Sequence, residues 1–235
     1  MTACFRSVFT IQGQTMPIQV DGPRLAPAAG GAPKQLVIFL HGYGADGNDL
    51  ISLGREWAGL LPDAAFVSPH APEELSGGFF GGRQWFALET RSEREWEEGV
   101  RKAQPALEAF IVAEAARQNL PLSAVALVGF SQGTMMALQT GLRLSEAPAA
   151  IVGFSGHLAG AERLAAEIKC KPPVLLLHGS SDDVIPVQAI HHARAALAAV
   201  GVPVEWHIRP GLGHGIDPQG LTAAGQFLRA SFGLS

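Results

Sequence analysis

The hydrophobic residues of this chain are concentrated in short, almost wholly apolar runs. Six runs have the length of strands, at residues 35–40, 64–67, 124–128, 149–154, 174–177 and 204–208. Such runs favour strands that are buried on both faces, as in a parallel sheet. Segments with helical character lie between them, at residues 48–60, 92–119, 134–144, 161–169, 190–200 and 221–232. The alternation predicts an α/β fold with a mostly parallel central sheet flanked by helices.

The first 33 residues have a different pattern. Segments 6–12 and 16–20 are predicted to form an antiparallel hairpin at the sheet edge, and residues 21–33, rich in Pro, Gly and Ala, a connector. Within the long predicted helix, Pro105 indicates a kink or a break. Because no internal repeat or domain-scale linker occurs, we expect one domain over residues 1–235.

Composition narrows the function classes. Hydrophobic residues make up 47% of the 235 residues, which is enough for a substantial core. The net charge is -4 with no basic stripe, so we expect no nucleic-acid partner. The apolar runs are far shorter than the roughly 20 residues that span a bilayer, so we expect no stable membrane insertion. Cys4 and Cys170 have no paired or metal-binding spacing and are interpreted as free thiols of a cytoplasmic protein. The sequence leaves a homodimer open.

The most informative motif is a G-x-S-x-G pattern at residues 129–133, centred on Ser131. It follows an apolar run and precedes a helix-prone run, where a strand would turn sharply into a helix. Such a turn strains the serine backbone and brings neighbouring chain close, which favours glycine at the flanking positions. The pattern predicts an exposed nucleophilic hydroxyl with a helix N-terminus behind it.

A glycine-rich loop after the first predicted strand admits three interpretations. Residues 42–47 match G-x-G-x-x-G, but the carboxylate that a dinucleotide site needs about 20 positions later is missing. A calcium loop on Asp46 and Asp49 lacks the EF-hand spacing and its closing Glu. The remaining interpretation is an oxyanion hole, with one backbone amide from Tyr43 and the other from Gln132.

An acid and a base are expected after Ser131 in the chain order Ser, Asp or Glu, His. Asp182 and Asp183 both follow a predicted strand, at the sheet edge where open α/β sheets place their sites. His214, flanked by glycines in the loop after the last strand, is the candidate base. No histidine spacing typical of a metal site occurs, and the chemistry requires neither a metal nor a cofactor.

Four motifs in order resemble the bacterial carboxylesterase/phospholipase family of the α/β-hydrolase superfamily, whose eukaryotic relatives are the acyl-protein thioesterases. They are residues 41–49, 129–133, 178–182 and 213–214. The resemblance extends from about residue 35 to the C-terminus. The family often carries leucine at the position of Tyr43, a change that leaves a backbone donor intact.

The resemblance implies a role for each matching position. Ser131 corresponds to the nucleophile, Asp182 rather than Asp183 to the acid, and His214 to the base. The amides of Tyr43 and Gln132 correspond to the oxyanion donors. The chain is therefore expected to be a serine carboxylesterase that works through an acyl-enzyme.

The substrate is expected to be a small-molecule ester with a short to medium acyl chain. An aromatic, Pro- and Gly-rich stretch at 69–90 supplies Trp85 and Phe86 as candidate substrate-binding residues, through the resemblance. The alternative is that residues 69–90 form a surface loop in which these aromatic side chains only pack against the loop itself. A lysophospholipase or acyl thioesterase with the same triad is the alternative enzyme. A hydrolase scaffold that only binds a hydrophobic ligand is a further alternative.

Overall fold

In the computed structural model, which describes residues 20–75 and 81–234, a central sheet of seven strands dominates the fold. The strands in chain order are β1 (Arg24–Leu25), β2 (Gln35–Leu40), β3 (Ala64–Val67), β4 (Glu73–Glu74), β5 (Arg83–Gln84), β6 (Val125–Phe130), β7 (Ala150–Phe154), β8 (Val174–Gly179) and β9 (Val204–Arg209). The sheet has the order β1-β3-β2-β6-β7-β8-β9, and β4 pairs with β5 in a separate hairpin. Every pairing in the large sheet is parallel except that of β1 with β3.

Helices cover both faces of this sheet. They are α1 (Gly47–Leu50), α2 (Leu53–Trp57), α3 (Glu93–Arg117), α4 (Gln132–Gly141), α5 (Leu164–Glu167), α6 (Gln188–Ala199) and α7 (Pro218–Ser231), with 3-10 turns at Leu122–Ala124 and Ala161–Arg163. Alternate residues of β2 belong to two separate cores: Ile38 packs with α3, α4 and α6, whereas Phe39 packs with α2 and α7. The predicted mostly parallel sheet with helices on both faces is confirmed.

Several predicted elements differ in detail from the observed ones. The segment 48–60 forms two short helices, and 161–169 forms a 3-10 turn followed by α5. Of the kink or break predicted at Pro105, the break does not occur, since helix α3 is continuous through this residue. One proline removes a single backbone hydrogen bond, while the buried side chains of this helix, such as Leu107 and Ile111, hold it against the core.

The sheet edges also differ from the prediction. The connector 21–33 contains β1, an antiparallel edge strand. The last strand, β9, alternates half-buried and exposed residues, because it is an edge strand and is not covered on both faces. The predicted hairpin of residues 6–12 and 16–20 lies outside the described residues, apart from Val20.

The carboxyl ends of the central strands bring distant parts of the sequence together. Strands β6, β7, β8 and β9 are consecutive parallel neighbours in the sheet. Strand β6 ends at Phe130, β8 at Gly179 and β9 at Arg209. The loops that follow them therefore emerge at one edge of the sheet, as is usual for sites of open α/β folds. These loops carry Ser131, Asp182 and His214.

Candidate active site

Ser131 lies at a sharp turn between β6 and α4. Its backbone has φ 55° and ψ −117°, a region that residues other than glycine rarely adopt. Its own amide donates to the Phe154 carbonyl at 2.9 Å, and its carbonyl accepts from Thr134 at 2.9 Å. These bonds hold the strained serine at the N-terminus of α4, as the G-x-S-x-G pattern predicts.

The flanking glycines allow the turn to pack closely against the sheet. A Cβ on Gly133 would lie 1.8 Å from the carbonyl oxygen of Leu40, and one on Gly129 would lie 2.4 Å from that of Gly133. No side chain fits at either distance. The geometry of the turn therefore requires glycine at both positions.

Asp182 is held in the loop after β8 with its side chain fully buried. Its Oδ1 accepts from the amides of Val184 and Ile185, both at 2.9 Å. Its Oδ2 lies 2.8 Å from Nδ1 of His214. Burial pushes the pKa of the Asp182 carboxyl up, but the hydrogen bonds it accepts outweigh burial and lower that pKa below the usual Asp value. The group therefore remains a carboxylate at neutral pH.

The loop that carries His214 is fastened to the loop of Asp182. The Gly211 amide donates to Ser180 Oγ at 2.8 Å, and the Ser181 amide donates to the Leu212 carbonyl at 2.9 Å. Gly179 permits this approach, since a Cβ there would lie 2.2 Å from the Leu212 carbonyl oxygen. The two loops therefore hold the imidazole beside the carboxylate.

Ser131 and His214 line one cavity of about 200 Å³. The His214 ring also packs against Phe130, with ring centroids 4.9 Å apart. Within the described ranges, the Ser131 hydroxyl makes no hydrogen bond. Catalytic hydrogen bonds are often long before substrate binds.

Two backbone amides beside Ser131 have no hydrogen-bond partner among residues 20–75 and 81–234. They belong to Tyr43, in the loop after β2, and to Gln132, the first residue of α4. A Cβ on Gly42 would lie 3.3 Å from the Cβ of Ser131, so this loop directly contacts the serine. Both residues line the cavity. The site thus offers two free donors, one of them at a helix N-terminus.

Trp85 and Phe86 do not line the cavity. They are 1% and 2% exposed and belong to the core between the sheet and α3. The expectation that they contact substrate directly is corrected here: the indole and amide N–H groups of Trp85 are both bonded within the protein. No feature of the sequence indicates this, because an aromatic stretch beside a site is compatible either with the cavity wall or with the layer beneath it.

The cavity wall is formed by other residues, most of which the motif analysis did not identify. Besides Gly42, Tyr43, Ser131, Gln132 and His214, it is lined by Leu88, Arg91, Trp96, Phe130, Met135, Val184 and Ile185. Periodicity could have indicated Met135, which is one turn into the helix after the serine. Trp96 lies on α3 and Phe130 ends β6, whereas the remaining four residues come from loops whose paths depend on tertiary packing.

The other acidic residues considered above have different surroundings in the structure. Asp183, next to the buried Asp182, is exposed, and it is Asp182 that contacts His214. Asp46 is the N-cap of α1, where its Oδ1 accepts from the Asn48 amide at 2.7 Å.

Over the described part of the chain, no group of three or more His, Cys, Asp or Glu side chains is placed to hold a metal ion. His178 bonds locally, with Nε2 2.8 Å from the Ile185 carbonyl oxygen.

Comparisons with known proteins identify the family of this chain. The model of the Phospholipase/Carboxylesterase family matches residues 27–232. Acyl-protein thioesterase 1 of Gibberella zeae is 29% identical over 88% of this chain and 95% of its own length. Esterase YpfH of Escherichia coli is 29% identical over 83% and 82%. The crystal structure of esterase PE8 superposes with a TM-score of 0.87 and 45% identity, covering 91% of this chain and 99% of that one.

Proposed function

The chain belongs to the phospholipase/carboxylesterase family of α/β-hydrolases, and from this premise we propose that it hydrolyses carboxylic esters with Ser131 as the nucleophile. Serine ester hydrolysis is the chemistry of this family. The observation that supports the assignment to these residues is the 2.8 Å contact between Asp182 and His214, beside a cavity that His214 and Ser131 share. This arrangement supports a role for all three side chains in one reaction.

The proton transfers follow from the contacts of His214. With the Asp182 carboxylate on Nδ1, that nitrogen carries a proton and Nε2 is free to accept one. In the proposed mechanism Nε2 takes the proton of the Ser131 hydroxyl as Oγ attacks the ester carbonyl carbon. The same proton then passes to the leaving alcohol, and a water molecule releases the acid from the acyl-enzyme.

The negative charge on the tetrahedral intermediate needs donors that are already in place. The free amides of Tyr43 and Gln132 are proposed to accept this oxyanion. Both face the cavity without competing partners in the described residues, and the positive end of α4 adds to their effect. Because the donors are backbone groups, the side chain of Tyr43 is free to vary.

The cavity supports an acyl chain of short to medium length. Leu88, Trp96 and Met135 contribute apolar surface to its wall, and its volume is about 200 Å³. The similarity to an acyl-protein thioesterase favours acyl thioesters as a second substrate class with the same triad. We propose a small-molecule ester or thioester substrate, a single domain, and a cytoplasmic location. Within the described ranges, no helix is both long and apolar enough to cross a bilayer.

The assignment of the nucleophile is tested with p-nitrophenyl acetate and butyrate. Ser131→Ala is expected to remove nearly all turnover, since loss of the nucleophile costs roughly 10⁶-fold in enzymes of this mechanism. Ser155→Ala is the matched control, because Ser155 also follows a strand with positive φ but does not line the cavity. Equal rates for wild type and Ser131→Ala would remove the proposal.

The substrate class needs a second measurement. An oxygen ester, a thioester and a lysophospholipid with the same acyl chain are compared by kcat/KM, and then the chain length is varied. The ester proposal expects the highest kcat/KM for oxygen esters with short or medium chains. A higher kcat/KM for thioesters would instead identify acyl thioesters as the substrate class. The proposed roles of Ser131, Asp182 and His214 would be unchanged.

A further inference from the structure

A buried set of hydrogen bonds connects the two segments that carry the free amides. The indole Nε1–H of Trp85 donates to the carbonyl of His41 at 3.0 Å. The backbone amide of the same residue donates to Oε1 of Gln132 at 2.9 Å. Nε2 of Gln132 in turn donates to the Phe86 carbonyl at 2.8 Å. His41, Trp85 and Gln132 are each at most 1% exposed.

The position of Trp85 between these segments is specific. His41 lies two residues before Tyr43, which carries one free amide, and Gln132 carries the other. The two segments follow different strands, β2 and β6, and Trp85 bonds to both. Oxyanion donors act at about 2.7–3.1 Å from the developing charge, and they must be held within about 0.5 Å of that position. A rigid connection between the segments would fix the distance between the donors.

His41 adds a second restraint on the Tyr43 amide. The Ala71 amide donates to Nε2 of His41 at 2.9 Å, so Nδ1 carries the proton and donates to the Gly42 carbonyl at 2.8 Å. That carbonyl and the Tyr43 N–H belong to one planar peptide unit. Holding the carbonyl therefore fixes the direction of the N–H. Burial lowers the pKa of His41, which preserves this neutral tautomer.

We propose that Trp85 is a positioning residue for the oxyanion hole: it holds the Tyr43 and Gln132 amides at a fixed separation. The proposal rests on the proposed function, because it assumes that these amides bind the oxyanion. In this proposal Trp85 acts from the layer beneath the site and does not contact the substrate. The group responsible is the indole N–H, which bonds to the His41 carbonyl, more than the aromatic ring.

The test removes only the indole donor. Trp85→Phe keeps an aromatic ring and the backbone bond to Gln132, but leaves the His41 carbonyl without its partner. We expect kcat for p-nitrophenyl butyrate to fall about tenfold or more, with KM within about twofold, because the loss concerns the transition state. Affinity for a trifluoromethyl ketone, which forms an oxyanion on Ser131, should fall by a similar factor.

Trp57→Phe is the matched control. Trp57 is 3% exposed and its Nε1 donates to the Leu221 carbonyl at 3.1 Å, in the core on the other face of the sheet. Both variants should lose similar thermal stability, whereas only Trp85→Phe should lose kcat. Equal kcat for the two variants would overturn the proposal. Activity retained by Ser131→Ala would instead overturn the proposed function.

A second variant covers the case in which Trp85→Phe does not fold. Gln132→Met removes both side-chain bonds and keeps the backbone amide of residue 132. It is expected to lower kcat in the same way. The double variant should lose less than the product of the two single effects, because both remove one connection. Full multiplicativity would show that the two residues act separately and would count against the proposal.

A different observation concerns the charge of the cavity wall. Among the residues of 20–75 and 81–234 that line the cavity, Arg91 is the one with a permanent charge, and none is Asp or Glu. Its side chain is exposed, and within the described ranges its guanidinium makes no ion pair or hydrogen bond. The neighbouring wall, including Leu88 and Trp96, is apolar. An unpaired cation beside an apolar cavity is suited to an anionic group on the ligand.

The backbone around Arg91 is held firmly. Its φ is 54°, an unfavourable value for a residue with a Cβ. The amides of Glu89, Thr90 and Arg91 all donate to the Glu95 carboxylate, at 2.6 to 3.2 Å. Ser92 accepts from the Glu95 amide as the N-cap of α3. These hydrogen bonds hold the backbone of Arg91 in place beside the cavity.

The geometry points to Arg91 as a specificity residue that binds an anionic group, a carboxylate or a phosphate, distant from the scissile ester. This second inference also rests on the proposed function. It is tested with monomethyl and dimethyl suberate, which share a chain length and differ in one terminal carboxylate. A lysophosphatidate and the corresponding monoacylglycerol form the phosphate arm.

Wild type should prefer the anionic member of at least one pair. Arg91→Gln should reduce that preference about tenfold, Arg91→Lys should restore part of it, and added salt should weaken it. Arg94→Gln is the control, since Arg94 pairs with Glu98 and lies outside the cavity. The inference is wrong if Arg91→Gln leaves both preferences unchanged while the neutral esters are still hydrolysed.

Discussion

His178 and Asp182 form a second carboxylate–imidazole contact beside the proposed triad. Nε2 of His178 lies 3.3 Å from Oδ2 of Asp182, the oxygen that also contacts His214. The same Nε2 is 2.8 Å from the Ile185 carbonyl oxygen. Both neighbours are acceptors, so Nε2 carries a proton and donates toward them. Asp182 is therefore held between two imidazoles and two backbone amides.

Replacing His178 should weaken the proposed site without removing it. His178→Phe keeps a buried ring but removes the donor to the turn that holds Asp182. A hydrogen bond to a charged group contributes about 1.5–3 kcal/mol, so we expect kcat/KM to fall roughly ten- to hundredfold. The measurement is p-nitrophenyl butyrate hydrolysis. His207→Phe, at an exposed position of the edge strand β9, is expected to keep wild-type activity, and an equal loss in both variants would contradict this.

The acid assignment distinguishes two adjacent residues. Asp182→Asn should reduce kcat by about three to four orders of magnitude, because His214 loses the carboxylate that fixes its tautomer and stabilises its charged form. Asp183→Asn removes an exposed carboxylate and should change kcat by less than about twofold. Steady-state kinetics on one ester decide the question. The reverse order would transfer the role to Asp183.

The turn at Ser131 predicts a steric result. Gly133→Ala would place a Cβ 1.8 Å from the Leu40 carbonyl oxygen, so β2 and the turn would have to separate. We expect a loss of about 3 kcal/mol in the free energy of unfolding, together with loss of activity. Gly59→Ala is the control, because a Cβ there meets no atom within 4 Å. Urea unfolding that gave equal stabilities for both variants would refute the expected clash.

Acid sensitivity is expected from an ion-pair cluster away from the site. Glu114, 3% exposed on α3, contacts Arg24 and Arg117. Burial acts to raise the pKa of Glu114, but the two guanidinium groups outweigh it and lower the pKa from 4.5 to about 2. Because the pKa of Glu114 is lower in the folded state than in the unfolded state, the ionised carboxylate stabilises the folded protein at any pH above the unfolded-state pKa. That contribution, up to about 3 kcal/mol, is lost as pH falls from about 4.5 toward 2.

The test compares unfolding by urea at about pH 6 and about pH 3. Wild type should lose more stability between these conditions than Glu114→Gln, which has no titrating carboxyl at this position. Glu98→Gln, exposed on the same helix, should behave as wild type. An unchanged pH dependence in Glu114→Gln would show that this cluster does not control acid stability.

The sequence predicted the architecture because buried parallel strands leave a strong signal. Runs such as 35–40 and 64–67 have few alternatives to a strand covered on both faces, and their limits agree with β2 and β3. The strained serine was also predictable, since the glycines around it are a local consequence of the turn. Edge elements were predicted less well: β1 and β9 depend on which neighbour covers them, and a single sequence does not state this.

What the sequence determined by itself was local: the strand–turn–helix at Ser131, the glycines that permit it, and the chain order of a serine, an acid and a base. Tertiary structure alone decided which distant atoms meet. It placed His214 on Asp182, turned Trp85 from the expected cavity wall into the layer beneath it, and brought Arg91 to the cavity. The physical reason is that local patterns fix backbone conformation, whereas contacts between loops depend on how the strands beneath them are ordered and how closely their glycines allow approach.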